Sequence, residues 1–214
     1  LTQHLNGIVD LALMTNGEGG YKYAILAEKI YGLPLTNEAV GRAYLPAIRK
    51  QELLKAGAII GIRNYFFMEQ ADTHFSLDPA DVLDTGAWDT EFIVQQLCKI
   101  IKKEQYDYIW AMLPFHKSHG HHLATTILTL KAVLSLAPAE RPIVLGISST
   151  LRYNPEQEGF TGLAAYPITN TNIAAPIFSF NKMQPFGHQG KLNYNILITW
   201  VIAEHKTQGT MQLL

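Results

Sequence analysis

The stretch Tyr108-Ile109-Trp110-Ala111-Met112-Leu113-Pro114-Phe115-His116-Lys117-Ser118-His119-Gly120-His121-His122 decides the reading of this chain. Its first six residues are bulky and apolar, the composition of a buried strand. Pro114 and Gly120 break the segment after that run, and Leu123–Leu130 then reads as the opening of a helix running to about Leu136. Four of the chain's eight histidines therefore sit where a strand's carboxyl end gives way to a helix. That junction is where open α/β sheets place their ligands. His119 and His122 are three apart, so a helical backbone can aim both rings at one point. Neutral imidazole is a good zinc ligand, but a zinc hydrolase needs about three protein ligands and an open water position. This pair supplies at most two.

Upstream, Ile8–Met14 is a short strand-like run leading into Thr15-Asn16-Gly17-Glu18-Gly19-Gly20, a loop that calls for positive φ or close backbone approach. It is neither GxGxxG nor a P-loop, so a nucleotide phosphate site has no support from the standard glycine motifs. Glu18, at a strand's carboxyl end, is placed either as a solvated turn residue or as an acceptor for substrate hydroxyls. Residues 38–60 read as a helix with Leu53, Leu54, Ala56, Ala58 and Ile60 apolar and Gly61 as terminator. In it, Arg49 and Glu52 lie one turn apart. They are placed to form a surface ion pair of little value, while Arg49 alone has the geometry to clamp a phosphate or carboxylate. Tyr65–Met68 is a second buried strand, and Phe92, Ile93, Leu97, Ile100 and Ile101 recur at helical spacing. Pro142–Ile147 is a fourth strand.

Strands alternating with helices through residue 147 predict βαβ units and a parallel sheet covered by helices on both faces. Residues 148–190, rich in Asn, Thr, Gly and Pro, break the rhythm and predict an irregular appendage with one strand-like piece at Pro176–Phe180. A last helix, about Leu192 to His205, presents Leu197, Ile198, Val201 and Ile202 inward. His205 stands at its end, where a cation would complement the helix dipole; His188, between glycines, carries no signal.

The composition bounds the rest. At 214 residues, 48% hydrophobic and 16% charged, the chain predicts one well-buried domain over residues 1–214. A net charge of −1 gives no electrostatic case for nucleic acid. The lone Cys98 excludes an internal disulfide and a CxxC site, and it belongs in or near the core. No apolar run approaches a membrane span. The chain opens at Leu1 in mid-pattern, which suggests truncation at the amino-terminal side. Compartment is not readable, and homo-oligomerisation stays open.

Four stretches in order resemble the LmbE-like (PIG-L) family of zinc-dependent de-N-acetylases: Thr15–Gly20, Arg49-Lys50-Gln51-Glu52 with Gly61, His119-Gly120-His121-His122, and His205-Lys206-Thr207-Gln208. The family pattern at these places is Thr-x-Gly-Glu-x-Gly, Arg-x-x-Glu, His-Pro-Asp-His and His-x-Ser/Thr-Gln. The resemblance implies a three-layer α/β/α Rossmann-like fold with a mostly parallel sheet, and hydrolysis of the N-acetyl group of an N-acetylglucosamine-type sugar or glycoconjugate. It implies Zn2+ with His122 as a metal ligand, His119 as the catalytic imidazole, and Glu18 and Arg49 as substrate-binding residues. Two departures stand out. The family's Ala-His-Pro-Asp-Asp-Glu loop, source of the other His and Asp ligands and of the general base, is absent from the sequence and would be expected upstream of Leu1. Gly120 and His121 also replace Pro and Asp, removing a carboxylate that commonly orients a neighbouring imidazole. A non-catalytic carbohydrate-binding relative with an incomplete metal site is the alternative.

Overall fold

A computed structural model describes residues 1–115, 117–148, 159–171 and 178–208. The main elements are β1 (Val9–Thr15), α1 (Glu38–Ile60), β2 (Ile62–Gln70), α2 (Thr90–Glu104), β3 (Tyr108–Met112), α3 (Gly120–Leu134), β4 (Ile143–Ile147), β5 (Pro185–Phe186), β6 (Leu192–Asn193) and α4 (Tyr194–Glu204). They fall into two compact units, residues 1–74 with 180–214 and residues 75–179.

In the first unit β1 and β2 pair in parallel with α1 between them in the chain, the βαβ arrangement the alternation predicts. Helix α1 begins where Asn37 accepts a hydrogen bond from the Val40 amide at 3.2 Å. It ends at Gly61, whose φ of 79° is the left-handed stop the sequence promises. Of its expected apolar positions Ala56 is buried, Leu53, Leu54 and Ile60 are half-buried, and Ala58 is exposed. Across the strand pair the Asp10 carboxylate takes Arg63 in a two-point contact at 2.9 and 2.5 Å, and the Asn64 amide at 3.0 Å. Register slips between Leu13↔Phe67 and Thr15↔Gln70, and Glu69 in that interval has φ 52°. This bulge re-aims the chain as it leaves the sheet. Beside α1, Ala24, Ala27, Leu35 and Leu45 form a buried cluster flanked by Tyr21, Tyr31, Leu33 and Ile48. Helix α4 packs on α1 with Leu197, Ile198, Val201 and Ile202 half-buried, as their spacing predicts. Strands β5 and β6 form a small antiparallel pair.

In the second unit β3 and β4 pair in parallel, Tyr108 opposite Ile143 through Met112 opposite Ile147, with α3 between them in the chain. Helix α2 is started by Asp89, which accepts from the Phe92 amide at 2.9 Å, and it packs on α3. Ile93, Leu97 and Ile101 are buried and Ile100 half-buried, while Phe92 is exposed. Ile101, Val133 and Leu136 form a core cluster against Cys98, Tyr106, Ile109 and Val144. Cys98 is a free, half-buried thiol, as expected, and donates to the Ala132 carbonyl at 3.3 Å.

Three expectations need correcting. The run 108–113 is not buried on both sides: Ile109 and Ala111 face inward, while Tyr108, Trp110 and Met112 are 54%, 51% and 40% exposed. The period-2 pleat separates them, and apolarity alone does not reveal that only one face is covered. Phe178–Phe180 form no strand, and the rest of that strand-like piece lies outside the described residues. Arg49 and Glu52 form no surface pair, because both turn to the buried Thr207. The α/β class with parallel strand pairs is as read from the sequence. No helix among the described residues is long and apolar enough to cross a membrane.

Candidate functional site

The first unit brings the glycine loop and Arg49 together. After β1 the chain turns at Gly17 (φ 78°) into a short 3-10 segment, Glu18–Tyr23. Asn16 steadies the turn by accepting from the Glu18 amide at 3.0 Å. The three glycines are required for three separate reasons. Gly17 supplies positive φ. Gly19 lies against the 72–73 segment, where a Cβ would fall 2.6 Å from the Asp72 carbonyl oxygen. Its amide donates to Asp72 Oδ2 at 3.2 Å. Gly20 has an ordinary φ of −84°, but a Cβ there would meet Arg49 Nη1 at 2.3 Å.

Arg49 donates to the Gly17 carbonyl at 2.7 Å, to the Gly20 carbonyl at 3.0 Å, and to Thr207 at both Oγ1 (3.2 Å) and O (3.4 Å). Burial pushes its pKa down, opposed by the negative charges of Asp72 and Glu52. Glu52 is 2% exposed, and it accepts from the Thr207 amide, the Thr207 hydroxyl and Tyr31. The Tyr31 phenol is pushed up to about 12 by burial and then by its bond to Glu52. Glu18 is half-buried and lies 3.8 Å from Arg42 Nη1. Asp72, Tyr31 and Thr207 are thus hydrogen-bonded neighbours of this loop and its supports that the motif reading of Glu18 and Arg49 does not reach. Only Thr207 carries a signal, through the His-x-Thr-Gln stretch.

His205 follows α4 as its cap, with Nδ1 buried and lacking a hydrogen-bond partner among the described residues. Burial lowers its pKa, which works against the cationic form that would complement the helix dipole.

The second unit gathers the histidines. His119 is the N-cap of α3 and His122 lies in its first turn. Their ring centroids are 5.5 Å apart at 88°, so the two imidazoles do lie together as their spacing predicts. Phe75 stacks on His119 at 5.0 Å, and His121 approaches it at 4.5 Å. His121 is buried, 5.2 Å from Trp88. Gly120 fits where a proline could not: its amide donates to the Ser76 carbonyl at 2.7 Å, and a Cβ would lie 2.6 Å from the Asp78 oxygen. His122 is exposed, yet desolvation and then the charge of His121 lower its pKa. This favours the neutral ring that ligates metals. Among the described residues no group of three or more His, Cys, Asp or Glu is placed to hold an ion. His116 lies outside the described residues. A groove of about 600 Å³ between α2 and α3, lined by Thr90, Cys98 and Lys131 among others, includes none of these histidines.

An α/β protein with an imidazole pair at a strand–helix junction, and a glycine loop tied to a half-buried arginine, belongs to a definable class. A family model described as PIG-L, GlcNAc-PI de-N-acetylase, matches residues 2–133, more than half of the chain. The chain belongs to the PIG-L family. Among solved structures it is similar to an N,N'-diacetylchitobiose deacetylase from Pyrococcus horikoshii, complexed with its inhibitor MPG, at 21% identity and a TM-score of 0.43. That likeness covers 65% of this chain and 47% of the other, so the chain spans less than half the length of that protein. No curated protein matches it.

Proposed function

We propose that this chain is a metal-dependent hydrolase that removes the N-acetyl group from an N-acetylglucosamine-type substrate. The observation that carries the reading is the His119–His122 pair at the end of β3 in a member of the PIG-L family. We read residues 1–214 as one domain; the family match, from residue 2 to 133, includes residues of both compact units. His122, with its lowered pKa, fits zinc as one imidazole ligand. Because no group of three or more candidate ligands stands together among the described residues, the other His and Asp ligands that the family reading requires would have to come from outside them. When bound, such an ion supplies a Lewis acid for the amide carbonyl and a water acidified towards neutrality.

Each of the chain's own residues has a separate role. His119, packed between Phe75 and His121, has a fixed ring orientation. In its charged form it would stabilise the oxyanion or hold the proton needed by the departing amine. The Glu18 carboxylate would accept hydrogen bonds from sugar hydroxyls, and Arg49, held by Gly17, Gly20 and Thr207, would bind the sugar or an anionic appendage through the one Nη1 hydrogen left to it. His121 in place of the family's aspartate offers aromatic packing against Trp88 instead of a carboxylate for the adjacent imidazole.

The test combines bound-metal analysis with acetate release from a panel of N-acetylated sugars. His122→Ala should lose metal and activity together. His119→Ala should keep its metal and lose about 10²–10⁴-fold in kcat. A metal-supplied protein that releases no acetate from any sugar in the panel would end the hydrolase reading. The replacement of Pro-Asp by Gly120-His121 favours a second reading, a non-catalytic carbohydrate-binding relative. Sugar binding without acetate release would select it.

A further inference from the structure

We propose that Glu52 and Thr207 are positioning residues for the Gly17–Gly20 loop, acting through Arg49, so that the segment ending α4 sets the placement of Glu18 and Arg49. The sugar in this proposal rests on the function proposed above; the loop part rests on geometry alone. Thr207 is fully buried and its hydroxyl has one consistent assignment. A carboxylate only accepts and a guanidinium only donates. The hydroxyl hydrogen therefore goes to Glu52 Oε2 at 2.6 Å, and a lone pair receives Arg49 Nε at 3.2 Å. Glu52 also takes the Thr207 amide at 3.0 Å and the Tyr31 hydroxyl at 2.9 Å, so its own orientation is fixed by three donors. A planar guanidinium pinned along its Nε edge has little freedom left at its other end. That end meets the carbonyls of Gly17 and Gly20, the two glycines flanking Glu18 and Gly19. A loop near residue 18 is thereby registered by a residue 189 positions further along the sequence.

This arrangement differs from simple helix docking, because α4 already packs on α1 and keeps Leu197, Ile198, Val201 and Ile202 half-buried. Deleting the Thr207 hydroxyl should leave that apolar contact in place and free the loop.

The experiment uses the full chain, labelled with ¹⁵N. It measures amide exchange at Glu18 and Gly19, both hydrogen-bonded, together with helix content and titration with N-acetylglucosamine. Thr207→Val should keep helix content and exchange within β1 and β2, while exchange at Glu18 and Gly19 rises about tenfold, equivalent to ~1.4 kcal/mol. Its sugar affinity should fall by a similar factor, and Thr207→Ser should restore both. Glu52→Gln, which replaces one accepting oxygen with a donor, should speed the same two amides if Thr207→Val proves unstable. Unchanged loop exchange in both variants overturns the proposal, as does a Thr207→Ser variant no better than Thr207→Val. A wild-type chain that takes up no sugar counts against the sugar reading, and the exchange data then decide the positioning claim by themselves.

Discussion

Gly20→Ala isolates the contact between the glycine loop and Arg49. At φ −84° and ψ 21° alanine is tolerated, so the backbone contributes little to the change. The added Cβ would lie 2.3 Å from Nη1, 2.4 Å from Nη2 and 2.7 Å from Cζ of Arg49. Reaching ordinary contact near 3.5 Å requires the guanidinium to retreat by roughly 1 Å. Bonds now at 2.7 and 3.0 Å to the Gly17 and Gly20 carbonyls would then open beyond hydrogen-bonding range. Each involves a charged donor, for which a loss of about 1.5–3 kcal/mol is usual. Partial rehydration of the freed groups, and the lower entropy of an unfolded chain with alanine, offset some of that. The net cost should be about 2–3 kcal/mol, a fall of roughly 5–10 °C in Tm for a chain of this size. Urea titration of Gly20→Ala, Arg49→Ala and the double variant gives the decisive comparison. With Arg49 removed, the new methyl has its nearest obstruction gone, and Gly20→Ala should become nearly neutral, a coupling of at least ~1.5 kcal/mol. An equal penalty with and without Arg49, or no penalty at all, would refute the reasoning.

Asp10→Ala leaves Arg63 and the Asn64 amide without their shared acceptor, and it should cost about 2 kcal/mol by urea melting. The lowered pKa values of His122 and His205 mean that the unfolded chain binds protons more readily, so stability is held above pH 6.5 and lost as pH falls below it. His205→Asn should flatten that slope in melts run between pH 5 and 7. Tyr31 has the opposite sign: its folded pKa of about 12 exceeds the ordinary value of 10, so stability present below pH 10 declines as pH rises towards 12. Tyr31→Phe should remove this decline, together with a phenolate transition near pH 12 in the ultraviolet titration.

The regular elements are legible in the sequence because helices and strands declare themselves locally. Helix α1 stands where its period and Gly61 put it, and β1 through β4 coincide with the four apolar runs. Which side of a strand is covered is a tertiary fact, and so the exposure of Trp110 does not show in its neighbours. The loop is legible as a place needing glycine. That Gly20 answers to Arg49, and Gly19 to Asp72, depends on groups about 30 and 53 residues away. The Arg49–Glu52 pair misleads for a related reason. Helical spacing brings two side chains to one face, but buried acceptors and donors elsewhere in the fold decide which partners they take. The histidine pair is legible from spacing alone, whereas the Phe75 and Trp88 rings that pack around it have no motif to announce them.

The three loop glycines carry a consequence for anyone running saturation mutagenesis on this protein. Positions 17, 19 and 20 should all be intolerant, one through a dihedral requirement, one through a crowded main chain and one through an arginine lying across it. Their intolerance would look like the footprint of a ligand even in a protein that bound none. Glu18, flanked by them but with none of these steric demands described for it, is the position whose tolerance profile would report on chemistry.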